Sequence, residues 1–256
     1  MAPKEIFPNS TVKQVVFQIR FPNLFYLEDK IGDFQLKIMR EFPESSISHR
    51  KIFAWADIGP GVKPAEVESQ IEKEPLGQKV WQFKSPNKYQ LNIQSGSLDI
   101  SSNYHKTYDL DGGNKFRDII KLVMDNFLQT ISLPTINRIG LRYVDECPIP
   151  SKDTKVFKSW YNSVFPLGRF NLSDALEMDF KTCVKRGNHY VRYIESVQKS
   201  PKGEDILILD FDGFTHGIEP KQYLTVTDKL HKTIDTEWRK TIKSPVIDYM
   251  RIPKEQ

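Results

Sequence analysis

Apolar and polar residues follow two periods along the chain, and these periods predict its elements. In residues 15–21 apolar side chains alternate with Gln18 and Arg20, which predicts a half-buried strand. Residues 24–42 place apolar side chains every three or four positions and predict an amphipathic helix. The same reasoning predicts three short strands and a second helix, over residues 79–85, 88–94, 97–104 and 116–131.

The second half of the chain repeats this order. A strand is predicted over residues 139–143 and a helix over residues 157–164. Three strands and a closing helix are predicted next, over residues 176–184, 190–198, 205–211 and 226–242. The weaker segments predict turns at residues 59–61 and 111–113 and a short acidic helix over residues 64–74.

The repeated order of elements predicts the architecture. Both halves contain a strand, a helix, a three-strand meander and a helix. We therefore interpret residues 1–256 as a single α+β domain with two half-repeats, residues 11–133 and residues 134–243. Meanders with one apolar face need helices on that face only. The sequence thus predicts a curved antiparallel sheet with helices on one face and a polar face opposite, and duplication of an ancestral half is our hypothesis for its origin.

Composition and charge exclude several classes of protein. The 256 residues are 39% hydrophobic and 12% aromatic, which is enough for a sizeable core and excludes overall disorder. No apolar run approaches the roughly 20 residues of a membrane-spanning helix. The net charge of +4 is mild and the two signs are interspersed, whereas nucleic-acid-binding proteins usually concentrate basic charge on one face.

Cysteine usage and the first residues predict the compartment. Cys147 and Cys183 are too few for a disulfide framework or for a four-cysteine zinc site. The first residues lack the charged and then apolar pattern of a signal peptide. We therefore expect a cytoplasmic protein with free thiols and no contact with a membrane.

Motifs for catalysis and cofactor binding are missing from the sequence, which has no phosphate-binding loop, dinucleotide fingerprint or nucleophile elbow. Asp210 and Asp212 share one side of a strand and could hold a divalent cation, but the glycine that follows favours a strand-ending turn. His231 and Asp235 lie one helical turn apart and could act as a metal-ligand or acid–base pair, but a surface pair is the favoured interpretation. The other histidines, including His105, are expected to be solvated. We expect no metal and no cofactor, and we favour a protein that is not an enzyme.

The densest basic stretch lies in the hairpin of the second meander. Its members Lys185, Arg186, Tyr190 and Arg192 combine cations that neutralise phosphates with a ring that stacks on bases. The same alternation is typical of a solvated hairpin edge, which lysines protect from pairing with other strands. Both interpretations remain open, and solvation is the simpler one.

Four side chains on the opening strands of the two halves are the main binding candidates. Arg20 and Arg142 occupy equivalent places and point away from the predicted core, with Gln18 and Arg138 on the same side. Arginine recognises carboxylates and phosphates through paired hydrogen bonds, which favours a ligand or a partner here. The structural alternative is that each arginine pairs with a carboxylate of a neighbouring strand, such as Glu177 or Asp179.

Several segments carry a resemblance to a known family. Residues 15–23 read Val-Val-Phe-Gln-Ile-Arg-Phe-Pro-Asn and residues 138–143 read Arg-Ile-Gly-Leu-Arg-Tyr, with further similarity at residues 31–35, 101–104 and 230–231. With these the chain resembles, over nearly its whole length, a sporadically distributed family of conserved hypothetical prokaryotic proteins. The resemblance implies no catalytic residues. A patchy distribution suggests genes that are mobile or associated with defence.

Three functions are compatible with the sequence. The leading hypothesis is a non-enzymatic interaction or regulatory protein, associated with a toxin or a defence system, that binds a protein partner through the polar sheet face. The alternative is a module that binds a small anionic molecule or a nucleotide near Arg20 and Arg142. The third is nucleic-acid binding through the basic hairpin or the sheet face.

Overall fold

The computed structural model describes residues 5–50, 78–105, 107–110 and 115–253. The turns expected at residues 59–61 and 111–113 and the helix expected over residues 64–74 lie outside these ranges. Within them the expected α+β class with an antiparallel sheet is confirmed. No helix in the described ranges is both long enough and apolar enough to cross a membrane.

The described strands form one open antiparallel sheet. Its order is β2-β3-β4-β5-β1-β6-β9-β8-β7, so that β1 and β6 lie side by side in the middle. The strand bounds are β1 Val12–Arg20, β2 Glu44–Arg50, β3 Gln78–Lys84, β4 Tyr89–Gln94, β5 Ser97–Ser102, β6 Ile136–Pro148, β7 Met178–Arg186, β8 His189–Lys199 and β9 Asp205–Ile218.

Helices cover one side of this sheet and complete the core. Their bounds in the described residues are α1 Leu27–Ile38, α2 Phe116–Thr130, α3 Thr154–Trp160, α4 Tyr223–Thr241 and α5 Ser244–Arg251. Each contributes buried apolar side chains to the same core as the alternate residues Phe17 and Ile19 of β1. Because successive side chains of a strand point to opposite faces, this burial leaves Gln18 and Arg20 on the other face of the sheet.

Three departures from the sequence prediction concern elements with weak local signals. Strand β2 has a mostly polar sequence and lies at one end of the sheet, so it shows no apolar alternation. Helix α5 was not predicted, because it is short and directly follows α4. Strand β9 continues to Ile218, so the turn expected at Asp212–Gly213 is wrong. Gly213 instead faces α4, where an added Cβ would lie 3.0 Å from Ile234, so a side chain there would crowd the helix.

Helix α4 is tied to the strands β7 and β8 through one buried carboxylate. Glu237 accepts hydrogen bonds from Arg186 (3.2 Å), from the Tyr193 hydroxyl (2.6 Å) and from Lys240 (2.9 Å). Burial by itself would raise the pKa of Glu237, but these three donors outweigh it and lower the pKa from 4.5 to about 2. The ionised carboxylate therefore stabilises the folded state.

We expect Glu237→Gln to lower the free energy of unfolding at pH 7 by about 2 kcal/mol, because hydrogen bonds to a charged group are lost. The folded-state pKa lies below the unfolded value, so the contribution is complete above about pH 5 and is lost as the pH falls toward 2. Urea unfolding at pH 7 and at pH 3 measures it, with Glu219→Gln as the exposed control. A difference from wild type that stays the same size at pH 3 contradicts this assignment.

Candidate functional site

The polar face of the sheet brings together the arginines of its two central strands. Strands β1 and β6 pair so that Arg20 lies opposite Arg138, and Gln18 lies opposite Gly140. Arg142 lies two positions after Gly140 in β6, so its side chain points to the same face of the sheet as Gln18. The four predicted binding residues Gln18, Arg20, Arg138 and Arg142 thus lie on one surface.

Two aspartates of β9 hold the arginines of β6 in place. Arg138 Nη2 donates to both carboxylate oxygens of Asp212, at 3.0 and 2.8 Å. Arg142 donates to Asp210 from Nε at 2.7 Å and from Nη2 at 2.5 Å. The carboxylate partner of Arg142 is therefore Asp210, and the suggested Glu177 or Asp179 is wrong, because β9 and not β7 lies beside β6. Paired hydrogen bonds of this kind fix the plane of a guanidinium group.

Hydrogen bonds and charges extend this arrangement across four strands. The Gln18 side-chain oxygen accepts from Arg20 Nε at 3.2 Å and from Arg138 Nη1 at 3.3 Å. On the other side, Arg192 of β8 lies 3.7 Å from Asp212. We call Arg20, Arg138, Arg142 and Arg192 the arginine cluster.

An aromatic pair forms the floor of the cluster. The guanidinium carbon of Arg138 lies 4.6 Å from the Phe214 ring centre, and that of Arg192 lies 5.7 Å from it. Tyr190 stacks on Phe214 with ring centres 5.5 Å apart. Gly140 makes room for this packing, because a Cβ at that position would lie 2.7 Å from Arg138 Nη1. The Phe214 ring therefore supports Arg138 and Arg192 through cation–π contact.

The electrostatic balance of the cluster is positive. Burial lowers the pKa of Arg138, Asp212 raises it, and the neighbouring charges of Arg20 and Arg192 lower it again. For Arg142 the hydrogen bonds to Asp210 are the largest effect and raise the pKa. The four guanidinium groups face two carboxylates, Asp210 and Asp212, and Asp99 lies on the same face opposite Gln18, which leaves an excess of one positive charge on this part of the surface.

The candidates of the basic hairpin divide between the two faces of the sheet. Arg192 belongs to the arginine cluster, Tyr190 stacks on Phe214 beside it, and Lys185 lies opposite Tyr190 in the register of β7 and β8. Arg186 instead reaches Glu237 on the helix side. The hairpin therefore does not present all four side chains to one ligand.

Sequence reasoning missed Phe214 and misjudged the role of the two aspartates. Asp210, Asp212 and Phe214 occupy every second position of β9, so the period-two pattern could have placed them on one face. Both carboxylates are occupied by arginines, and the described residues contain no group of three or more His, Cys, Asp or Glu side chains that could hold a metal ion.

Comparisons of the chain with protein-family models, with curated proteins and with solved structures each give no match. The interpretation of the site therefore depends on its own geometry and charge.

Proposed function

We propose that the polar sheet face binds a partner protein that presents carboxylates to the arginine cluster. The observation that carries this proposal is the excess of positive charge on a cluster in which hydrogen bonds already hold Arg20, Arg138 and Arg142 in position. A surface that is ordered before binding loses little side-chain entropy on association. Arginine and tyrosine are also enriched at the energetic centres of protein interfaces.

Two members of the arginine cluster are available to a partner. The Arg192 side chain is 44% exposed, and Arg20 lies at the exposed end of β1 with its Nε donating to the neutral Gln18. Arg138 is only 14% exposed and donates to Asp212 and Gln18. Arg142 is 46% exposed but already donates two hydrogen bonds to Asp210. Arg20 and Arg192 are therefore the two side chains we expect to contact partner carboxylates, with Arg138 holding the positions between them.

The other two candidate functions have less support. A small anion near Arg20 and Arg142 would compete with Asp210, to which Arg142 already donates two hydrogen bonds. A nucleic acid at the basic hairpin would lose the contribution of Arg186, which pairs with Glu237. A protein that presents spaced carboxylates meets neither difficulty.

The topology supports the proposed duplication of residues 11–133 and 134–243. In each half, the opening strand pairs with the last strand of the meander that follows it, β1 with β5 and β6 with β9. A pseudo-twofold relation would then bring the opening strands together at the centre of a curved sheet. We further propose that the chain is prokaryotic and acts in the cytoplasm, in which its two free cysteines would stay reduced.

The experiment compares co-purification of partners by three tagged forms of the chain expressed in its own source. The test form carries Arg20→Glu and Arg192→Glu, and the matched form carries Lys155→Glu and Lys232→Glu, which change the same charge at exposed helix positions. We expect the test form to lose the stoichiometric protein that the wild type retains, by about tenfold or more, because like charges then face each other.

The matched form must retain that protein. Equal retention by the test form contradicts the proposal. Loss of the co-purified material after nuclease treatment of the wild type assigns the surface to nucleic acid instead and also contradicts it.

A further inference from the structure

Strand β7 forms one end of the sheet, and its outer edge is open. The strand pairs with β8 on one side only, over nine residues with no proline and no shift in register. Among the described residues, no backbone hydrogen bond reaches its other side. A regular edge of this kind presents a row of N–H and C=O groups on which a further strand can pair.

The exposed side chains of this edge carry charges of both signs. Asp179 and Lys185 lie three positions to either side of Thr182, which is the middle residue of β7. Within the part of the chain that the structure describes, neither Asp179 nor Lys185 has an ion-pair or hydrogen-bond partner for its side chain. Opposite charges at equal distances from the centre make the strand complementary to a second copy of itself that runs the other way.

Antiparallel pairing of two β7 strands about Thr182 uses this complementarity. Asp179 of each copy then lies opposite Lys185 of the other, and all nine residues of the strand are paired. On the helix side of the sheet, the half-buried Phe180 and Val184 lie opposite each other. An aromatic ring beside a β-branched side chain is a favourable cross-strand pair, so both faces of the sheet support the same register.

The lysines of β7 disfavour the other registers. Two copies that keep their helices on the same side of the sheet are related by a twofold axis, about which one residue lies opposite itself. A shift of this centre by one residue sets Lys181 opposite Lys181 or opposite Lys185, and like charges directly opposite each other are destabilising. A shift by two residues leaves only five residues of β7 paired. The lysines that protect the edge from other strands therefore permit the register centred on Thr182.

We propose that the protein forms a symmetric dimer in which two β7 strands pair about Thr182 and continue the sheet from one copy into the other. The pairing adds roughly eight to ten backbone hydrogen bonds. One pair of strands buries less than the about 1,600 Å² of a standard interface, so we expect a Kd of roughly 1–100 μM. The polar faces of both copies lie on the same side, with their β8 strands about 14 Å apart. The two arginine clusters therefore face in the same direction.

Sedimentation equilibrium of the full chain measures the association, at concentrations from about 1 to about 500 μM. We expect the average mass to rise from that of one chain toward that of two chains and to go no further. A mass that stays at one chain at the highest concentration overturns the proposal. Growth beyond two chains also overturns it, because it indicates head-to-tail pairing of different edges.

Exchange of the paired charges tests the register. Asp179→Lys and Lys185→Asp each set like charges opposite each other at two symmetric positions, and each is expected to raise the dimer Kd about tenfold. The double variant restores opposite charges and should return the Kd to within about threefold of wild type. Both side chains are exposed, so these changes leave the core intact.

The matched control is Glu219→Lys, which makes the same change of charge as Asp179→Lys at an exposed position outside β7. It should leave the dimer Kd unchanged. Single variants that dimerise as well as this control overturn the proposal. A double variant that is as weak as the single variants overturns it as well.

Cys183 offers a second test, because it is exposed whereas Cys147 is buried. In the proposed register the Cys183 side chains of the two copies are diagonal neighbours on the polar face, roughly 7–8 Å apart. A bismaleimide that spans about this distance should link two chains of the wild type and fewer chains of Asp179→Lys. Absence of the link in a sample that sedimentation shows to be dimeric overturns the register. The dimer contains no second kind of protein, so none of these results bears on the partner surface.

Discussion

Asp212→Ala is expected to lower the free energy of unfolding by about 3–4 kcal/mol. Asp212 and Arg138 are each only 14% exposed, and Arg138 donates to both oxygens of the carboxylate. Removing the carboxylate leaves a buried guanidinium with Arg20 and Arg192 as its charged neighbours, both of which disfavour its positive charge. An uncompensated buried charge is among the few causes of a large loss from a single substitution.

Urea unfolding of Asp212→Ala measures this loss, with Asp33→Ala as control. Asp33 pairs with Lys30 at the surface and is 60% exposed, so its loss should change the stability by less than about 1 kcal/mol. The double variant Arg138→Met with Asp212→Leu removes both charges and should recover most of the lost stability. A single variant as stable as the control would show that Arg138 is not held by Asp212.

Phe34→Ala is expected to lower the free energy of unfolding by about 3–5 kcal/mol. The ring of Phe34 on α1 is fully buried and makes edge-to-face contacts with Phe127 of α2, at 5.5 Å, and with Phe83 of β3, at 6.2 Å. It therefore joins α1 and α2 to the sheet, and its loss leaves a cavity where three elements meet.

The matched control is Leu36→Ala on the same helix. Leu36 is 69% exposed, so the change removes little buried apolar surface and should cost less than about 0.5 kcal/mol. Both variants are measured by urea unfolding under the same conditions. A loss below about 1.5 kcal/mol for Phe34→Ala would mean that α1 does not pack on the sheet as the structure has it.

Local patterning predicted those elements that have one apolar and one polar side. Strand β1 and the helices α1, α2 and α4 were found because their apolar residues repeat with a period of two or of 3.6. Strand β2 was missed because its polar sequence has no such period. The Asp212–Gly213 pair was misread because its turn preference is weaker than the pairing of β9 with both β6 and β8.

The candidate site was predicted only in part, because pairing between distant strands cannot be read from local pattern. Alternation placed Arg20 and Arg142 on the polar face. The β6–β9 register sets Arg142 opposite Asp212, and only the side-chain hydrogen bonds show that Asp210 is its partner. The same limit applies to His105, which was expected to be solvated. It is 3% exposed beside Ser102, and burial lowers its pKa to about 4.

A cavity of about 140 Å³ on the helix side of the sheet was invisible in the sequence for a related reason. Thr107 and Trp238 are 131 positions apart in the chain, and neither belongs to a recognisable motif. Only the folded structure shows that they line the same cavity. His231 was expected at the surface but also lies on this wall, where it stacks on Tyr108. The sequence did indicate the helical face of α4 that carries Ile234 and Trp238, and this face forms one wall of the cavity.

The central claim is that the arginine cluster binds an acidic protein, and native mass spectrometry of the chain, purified gently from its own source, tests it most directly. Spectra recorded over a series of ionic strengths should show a complex with one protein at fixed stoichiometry, which dissociates as the salt concentration rises because charge pairs hold it. The chain observed alone at low salt, or a complex that is insensitive to salt and to Arg20→Glu with Arg192→Glu, would contradict the claim.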